Sequence, residues 1–345
     1  MWPRKRKGGA AVAEPPRPFF EFPGSDEELF AEIEKVTAEN RETRSTDSEA
    51  TLLRLRHLAG IRMTEAANGR PDFAAADDAS LPSADGLPEI AAADVTPGML
   101  RAGILRDGCL LVRGLVGRED ALHFADQIDR AFEERERSGP GDKSQNGYYE
   151  EFYPEPGYDG MTSRSWIKEG GGLLAVDSPM LSFEMIEMFQ RAGIQRLVKE
   201  YLGEPGLISG EKTTLRKAEP QVPGAWHQDG AFMGDVRALN LWLSLSRCGD
   251  ESPGLDILPR RLDYLVTTQT EEAMLSYQIS QAKAEEAAGD TPIIRPIFEP
   301  GDALFFDDLF LHQTGSDPSM PKPRYAIESW FFGASAFPEY IPVVV

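Results

Sequence analysis

Arg237-Ala238-Leu239-Asn240-Leu241-Trp242-Leu243-Ser244-Leu245-Ser246 alternates without a break. Successive side chains of an extended backbone point to opposite faces. Leu239, Leu241, Leu243 and Leu245 therefore share one face, and Asn240, Trp242, Ser244 and Ser246 share the other. Such a strand fits a barrel, with the aliphatic face against a core and the second face lining a polar interior that takes a small molecule.

Strands surround this one. Pro300-Gly301-Asp302 is a turn signal ahead of a short apolar strand at 303–306, and residues 324–332 read as a further strand. A helical insertion over about 271–288 interrupts the series. Upstream, helices are predicted over 96–107 and 118–137. A third runs from the cap Asp177-Ser178-Pro179 to Leu202 and stops at Gly203. Cys109-Leu110-Leu111-Val112 reads as a buried strand. The segment 147–172 carries Tyr148, Tyr149, Phe152, Tyr153, Tyr158 and Trp166, and reads either as a binding loop or as a packed Ω-loop. Helices first and short strands later predict a mainly β sandwich or barrel with flanking helices.

The N-terminal region has another character. Ser25-Asp26-Glu27-Glu28 has capping-box spacing, and Leu29, Phe30, Ile33 and Val36 follow at helical intervals. A second helix is expected over 48–58. Residues 66–94 are rich in Ala, Asp, Pro and Ser, as in a linker or surface arm. The expected division is a helical extension with its linker at 1–95 and the β domain at 96–345.

Composition narrows the partners. The 345 residues include 57 acidic and 36 basic ones, for a net charge of −21. That charge opposes nucleic acid and anionic membranes, and no basic groove offsets it. No apolar run reaches the length of a membrane span, and no apolar stretch follows the basic start, where Arg4-Lys5-Arg6-Lys7 reads as a solvated tail. The two cysteines, Cys109 and Cys248, form no CxxC pair, and a reducing cytoplasm is the natural setting.

Of four histidines, His57 and His123 sit in expected helices among apolar neighbours, with no carboxylate two residues on. Both read as structural or surface histidines. His227 stands in Trp226-His227-Gln228-Asp229-Gly230, so on an extended backbone His227 and Asp229 face one side. An isolated HxD is a weak signal, because it also arises as a hydrogen-bonded pair in a turn. His312, at the end of a later strand, supplies a third ligand. Two imidazoles and a carboxylate on one octahedral face leave adjacent positions open, as in non-haem Fe(II) oxygenases. Arg324 then opens the next strand, where its planar fork fits the distal carboxylate of a chelating 2-oxoglutarate. Thr314 is placed to add a hydroxyl.

Trp226-His227-Gln228-Asp229, the strand with Asn240 and Trp242, and the tail from Pro300-Gly301-Asp302 through His312 to Arg324 resemble the phytanoyl-CoA dioxygenase family. The likeness covers about 95–332. It implies a double-stranded β-helix (jelly-roll, cupin-like) core, Fe(II), dioxygen, and 2-oxoglutarate decarboxylated to succinate as a small-molecule C–H bond is hydroxylated or otherwise oxidised. By position it implies His227, Asp229 and His312 as metal ligands, and Arg324, Thr314 and Trp242 as binders of 2-oxoglutarate. For Trp242, barrel packing is an equal alternative. Halogenating relatives carry a small residue at the place of Asp229, so the carboxylate implies no halogenation. The chain departs from the family at Arg260 and Arg261, where Ser-His is usual. This arginine pair reads either as a contact to an anionic substrate group or as a solvated turn. Two other functions fit the same residues: a non-catalytic binding protein on this fold, and a metal-dependent cupin-like hydrolase or isomerase, which has no need of Arg324.

Overall fold

The computed structural model describes residues 20–82, 86–158, 163–222, 224–234, 236–268, 277–338 and 340–345. The basic tail at 4–7 and the first part of the expected insertion, 271–276, lie outside them. The helices are α1 (Asp26–Glu42), α2 (Thr46–Ala66), α3 (Pro97–Asp107), α4 (Arg118–Arg137), α5 (Arg164–Glu169), α6 (Pro179–Arg191), α7 (Ile194–Leu202), α8 (Gly230–Met233) and α9 (Gln281–Ala288). The early strands are β1 (Glu89–Ala91), β2 (Cys109–Arg113), β3 (Gly172–Leu174), β4 (Gly206–Ser209) and β5 (Thr214–Ala218). The later ones are β6 (Ala238–Ser244), β7 (Gly254–Ile257), β8 (Ala303–Phe306), β9 (His312–Gly315), β10 (Arg324–Gly333) and β11 (Pro342–Val344).

Alternation in β6 and β10 builds the core. These strands pair antiparallel at the centre of a sheet ordered β1-β2-β8-β6-β10-β4-β11, with β5 also on β10 and β3 on β5. Leu239, Leu241 and Leu243 of β6 and Ile327 and Phe331 of β10 face outward, into an apolar layer shared with α3, α4, α6 and α7. The opposite faces carry Trp242, Ala326, Trp330 and Phe332, which pack with Leu255, Ile257 and Phe298 inside the barrel. The small sheet β7-β9 forms the second wall. This is the expected jelly roll, with its interior between the two sheets.

Several boundaries differ from the sequence expectation. The helix predicted from 179 to 202 is two helices. Gly193 between them takes φ 70°, a left-handed conformation that a Cβ disfavours, and the chain turns there. Helix α2 runs well past Leu58, through Ala59 and Gly60. A Cβ on Gly60 would lie 2.7 Å from the Pro342 carbonyl oxygen, so glycine permits the helix to press on β11. On the same side Arg56 donates to the Val344 carbonyl oxygen at 3.2 Å, and His57 Nδ1 to that of Pro342 at 2.8 Å.

The composition-biased arm also joins the sheet. Its end forms β1, which pairs parallel with β2, and Ala74 N donates to the Tyr201 carbonyl oxygen at 2.9 Å. In the aromatic segment Tyr149 and Phe152 are buried, and the Phe152 and Tyr158 rings meet His57 edge-on. Trp166 of α5 instead reaches the barrel mouth.

Candidate metal centre

Strand β9 sets the first half of the site. Its register against β7 pairs His312 with Ile257, Gln313 with Asp256 and Thr314 with Leu255. His312 and Thr314 thus share the inner face. Gln313 points away and donates to Asp256, which Arg295 holds at 2.6 Å and 3.0 Å. His312 opens this strand rather than ending one. Opposite it, His227 forms an isolated antiparallel bridge, its N–H 3.0 Å from the His312 carbonyl and the reciprocal bond 3.2 Å. Residues paired in this way project side by side, and the two ring centroids are 4.3 Å apart.

The backbone also selects the tautomers. His227 Nδ1 lies 2.7 Å from the Ala225 carbonyl oxygen, and His312 Nδ1 lies 3.1 Å from that of Phe310. A carbonyl only accepts, so each Nδ1 carries the hydrogen and each Nε2 keeps its lone pair for a metal.

Asp229 arrives differently from the extended geometry expected. It has φ −64° and ψ −26°, in the turn that starts α8, and that turn brings Oδ1 to 4.0 Å from His227 Nε2. Buried Gln228 pins the turn. Its Nε2 donates to the carbonyl oxygens of Tyr264 (3.1 Å) and Leu309 (2.6 Å), and its Oε1 accepts from Val266 N (2.7 Å). Gly230 N adds a bond to the Asp308 carbonyl oxygen at 2.8 Å. The donor atoms of His227, Asp229 and His312 all lie within 4.8 Å of one another, the one such group among the described residues. Burial raises the Asp229 pKa, opposed by His227 and Lys212. Burial, helped by neighbouring His227, pushes His312 down to about 3. A buried carboxylate converging with two imidazole nitrogens suits a cation.

A second cluster lies in the same cavity. Arg324 is 1% exposed, and among the described residues it has no ion pair. Its Nη1 reaches the Gly254 carbonyl oxygen at 3.4 Å, its Nε has no partner, and its guanidinium sits 5.2 Å from the Trp242 ring. Burial lowers its pKa, with Glu328 opposing. Trp242 Nε1 and Asn240 Oδ1 are likewise buried and unpartnered. Buried polar atoms in folded proteins are normally satisfied, so this group, one member of it charged, fits an anionic polar ligand.

All six expected residues line one cavity of about 590 Å³: His227, Asp229, His312, Trp242, Thr314 and Arg324. Sequence reasoning missed Lys212, Arg216, Tyr277 and Glu328, which line it too. Glu328 accepts from Arg216 at 3.0 Å and from Thr214 at 3.2 Å. Burial pushes its pKa up, but Arg216 and Arg324 outweigh that and hold it below the usual value. Alternation from Arg324 along β10 marks Glu328 as inward-facing; no motif marks Lys212 or Arg216. Arg260 and Arg261 do not line the cavity. Arg260 donates to the Ala287 and Ala288 carbonyl oxygens at the end of α9, and Arg261 pairs with Asp307 at 2.5 Å. Both side chains are engaged in local bonds in this structure.

Comparison with known proteins extends this picture. The model of the phytanoyl-CoA dioxygenase family matches residues 104–324. No curated protein matches the chain. Among solved structures, EctD from S. alaskensis with 2-oxoglutarate and 5-hydroxyectoine is similar at TM-score 0.52 and 14% identity, over 79% of this chain and 89% of that one. The same enzyme with bound Fe gives 0.51 and 16%, over 78% and 86%. The epimerase SnoN in complex with Fe3+, alpha ketoglutarate and nogalamycin RO gives 0.49 and 18%, over 70% and 85%. No helix among the described residues is long and apolar enough to cross a membrane.

Proposed function

The chain belongs to the phytanoyl-CoA dioxygenase family, and on that premise we propose that it is an Fe(II)- and 2-oxoglutarate-dependent dioxygenase oxidising a C–H bond of a small organic molecule. His227, Asp229 and His312 hold the iron. Arg324, with Thr314 and Trp242, holds 2-oxoglutarate. The observation that carries this reading is Arg324. A buried guanidinium with no ion pair among the described residues, in one cavity with three convergent metal-ligand atoms, has a physical reason to exist if a dicarboxylate bridges the two. A hydrolase or isomerase using the same three ligands gives Arg324 no task.

When bound, iron and 2-oxoglutarate supply the oxidising power, with dioxygen consumed and succinate and carbon dioxide released. The chain itself binds, orients and excludes water. The bonds from His227 and His312 Nδ1 to carbonyl oxygens lock both rings, and Gln228 locks the turn that carries Asp229. Trp242, 2% exposed, closes the cavity floor beside Arg324, so the ion pair formed there is shielded from water. Arg216 keeps Glu328 ionised and occupied, which leaves the Arg324 fork free.

Anaerobic titration of Fe(II)-loaded protein with 2-oxoglutarate tests the proposal. A visible charge-transfer band from chelated 2-oxo acid is expected. Its absence in folded, iron-replete protein refutes the reading.

A further inference from the structure

Among the described residues five cationic side chains line the cavity: Lys168, Lys212, Arg216, Lys217 and Arg324. Lys168 pairs with Glu136 at 2.7 Å, Lys217 with Asp129 at 2.8 Å and Arg216 with Glu328 at 3.0 Å. Arg324 is assigned to 2-oxoglutarate. Lys212 is left. Among the described residues its ammonium has no carboxylate within ion-pair distance; it lies instead over rings, 4.7 Å from the centroid of Phe232 and 5.3 Å from that of Tyr340. The side chain is half-buried, so the charge has lost part of its water, with ring faces in direct contact and no ion pair among the described residues. Burial lowers its pKa, and Asp229 and Glu211 act against that.

The rings beside Lys212 form a path to the metal ligands. Phe232 and Tyr277 are 5.7 Å apart and edge-on, Tyr277 is 6.1 Å from the His227 ring, and Trp166 is 6.3 Å from Tyr277. Trp166 and Phe232 remain 42% and 37% exposed, so an apolar surface stands uncovered at the mouth. A molecule lying along these rings has the metal ligands at its inner side and the ammonium within reach.

We propose that Lys212 binds the anionic group of the oxidised substrate, which is an amphipathic organic acid whose apolar body packs under Phe232, Tyr277 and Trp166. This rests on the oxygenase reading, because Arg324 must be taken by 2-oxoglutarate for Lys212 to be the free cation. In a partly dry cavity a neutral analogue leaves the ammonium unpaired, so charge discriminates between otherwise equal molecules.

The test uses the full chain, anaerobic, with Fe(II) and saturating 2-oxoglutarate, whose binding is measured first. Probes are matched pairs differing only in charge: phenylacetate with phenylacetamide, and indoleacetate with indoleacetamide. Calorimetry is expected to show each acid binding about tenfold or more tightly than its amide. Lys212→Met should bind acid and amide alike, and Lys212→Arg should restore the preference, both with unchanged 2-oxoglutarate affinity. A wild type without preference, a Lys212→Met that keeps it, or no acid binding at all overturns the proposal. If 2-oxoglutarate itself fails to bind, the functional reading falls instead. In that case an acid preference abolished by Arg324→Met and not by Lys212→Met overturns the Lys212 assignment as well.

Discussion

Arg324→Met separates a ligand-binding charge from a structural one, because the two predict opposite signs. The guanidinium is 1% exposed, Nε has no partner, and Nη1 has one long contact at 3.4 Å. A charge buried without compensation is held at a cost, and replacing it with an apolar residue of similar length is expected to stabilise ligand-free protein by about 1–2 kcal/mol. For 345 residues that is a rise of roughly 2 °C in melting temperature. With 2-oxoglutarate the sign reverses. Truncating one partner of a buried charge pair costs about 2–5 kcal/mol, which is about 30-fold to several thousand-fold in affinity. At a hundred times its dissociation constant the ligand stabilises the wild type by about 2.7 kcal/mol, close to 4 °C on the same scale. The variant at that concentration should gain less than about 1 kcal/mol, little more than 1 °C. Scanning calorimetry of anaerobic, metal-loaded protein, with and without 2-oxoglutarate, reads both effects. A variant destabilised by 2 kcal/mol or more without ligand would show that Arg324 holds the fold together. A wild-type ligand shift in the variant would place the carboxylate anchor elsewhere.

His312→Ala should lower Fe(II) affinity by orders of magnitude, read by metal content after desalting; stoichiometric retention would refute the triad. His57 provides a pH test away from the metal. Burial pushes it down to about 4, with its bond to the Pro342 carbonyl opposing. A histidine depressed in the folded state contributes its stability above the unfolded value of about 6.5, and that stability is lost as pH falls towards 4. The share of His57 in the loss between pH 7 and pH 4 should therefore be about 3 kcal/mol, and His57→Asn should reduce the slope by that share in denaturant titrations. An equal slope in both proteins would mean that other groups carry the acid sensitivity. Removing residues 1–94 should abolish cooperative folding. Helix α2 alone buries Leu52, Leu53, Leu55, Leu58 and Ile61, each worth about 1.5–3 kcal/mol against a whole stability of about 5–15 kcal/mol. A truncated chain that melts cooperatively and still takes up metal would instead establish the region as an appendage.

What could be read from the chain alone was local. Period-two alternation in β6, the capping box at Ser25 and the glycine stop at Gly203 act over a few residues, and helices α3 and α4 and strands β2 and β8 appear within a residue of where they were expected. The HxD pair, His312 and Arg324 could be singled out by residue type and spacing, and the structure brings them to one cavity. Tertiary structure decided how they meet. Asp229 reaches His227 through a turn held by Gln228 and Gly230, and its carbonyl partners lie on segments distant in sequence. The extent of α2 depends on Pro342 closing over Gly60, and the pairing of β1 on a strand that the arm's composition does not announce. Lys212, Arg216 and Glu328 carry no motif, because what sets them apart is which charges are neutralised and which are left over. Coulomb energy depends on distance and on the loss of water, and both are properties of the folded chain.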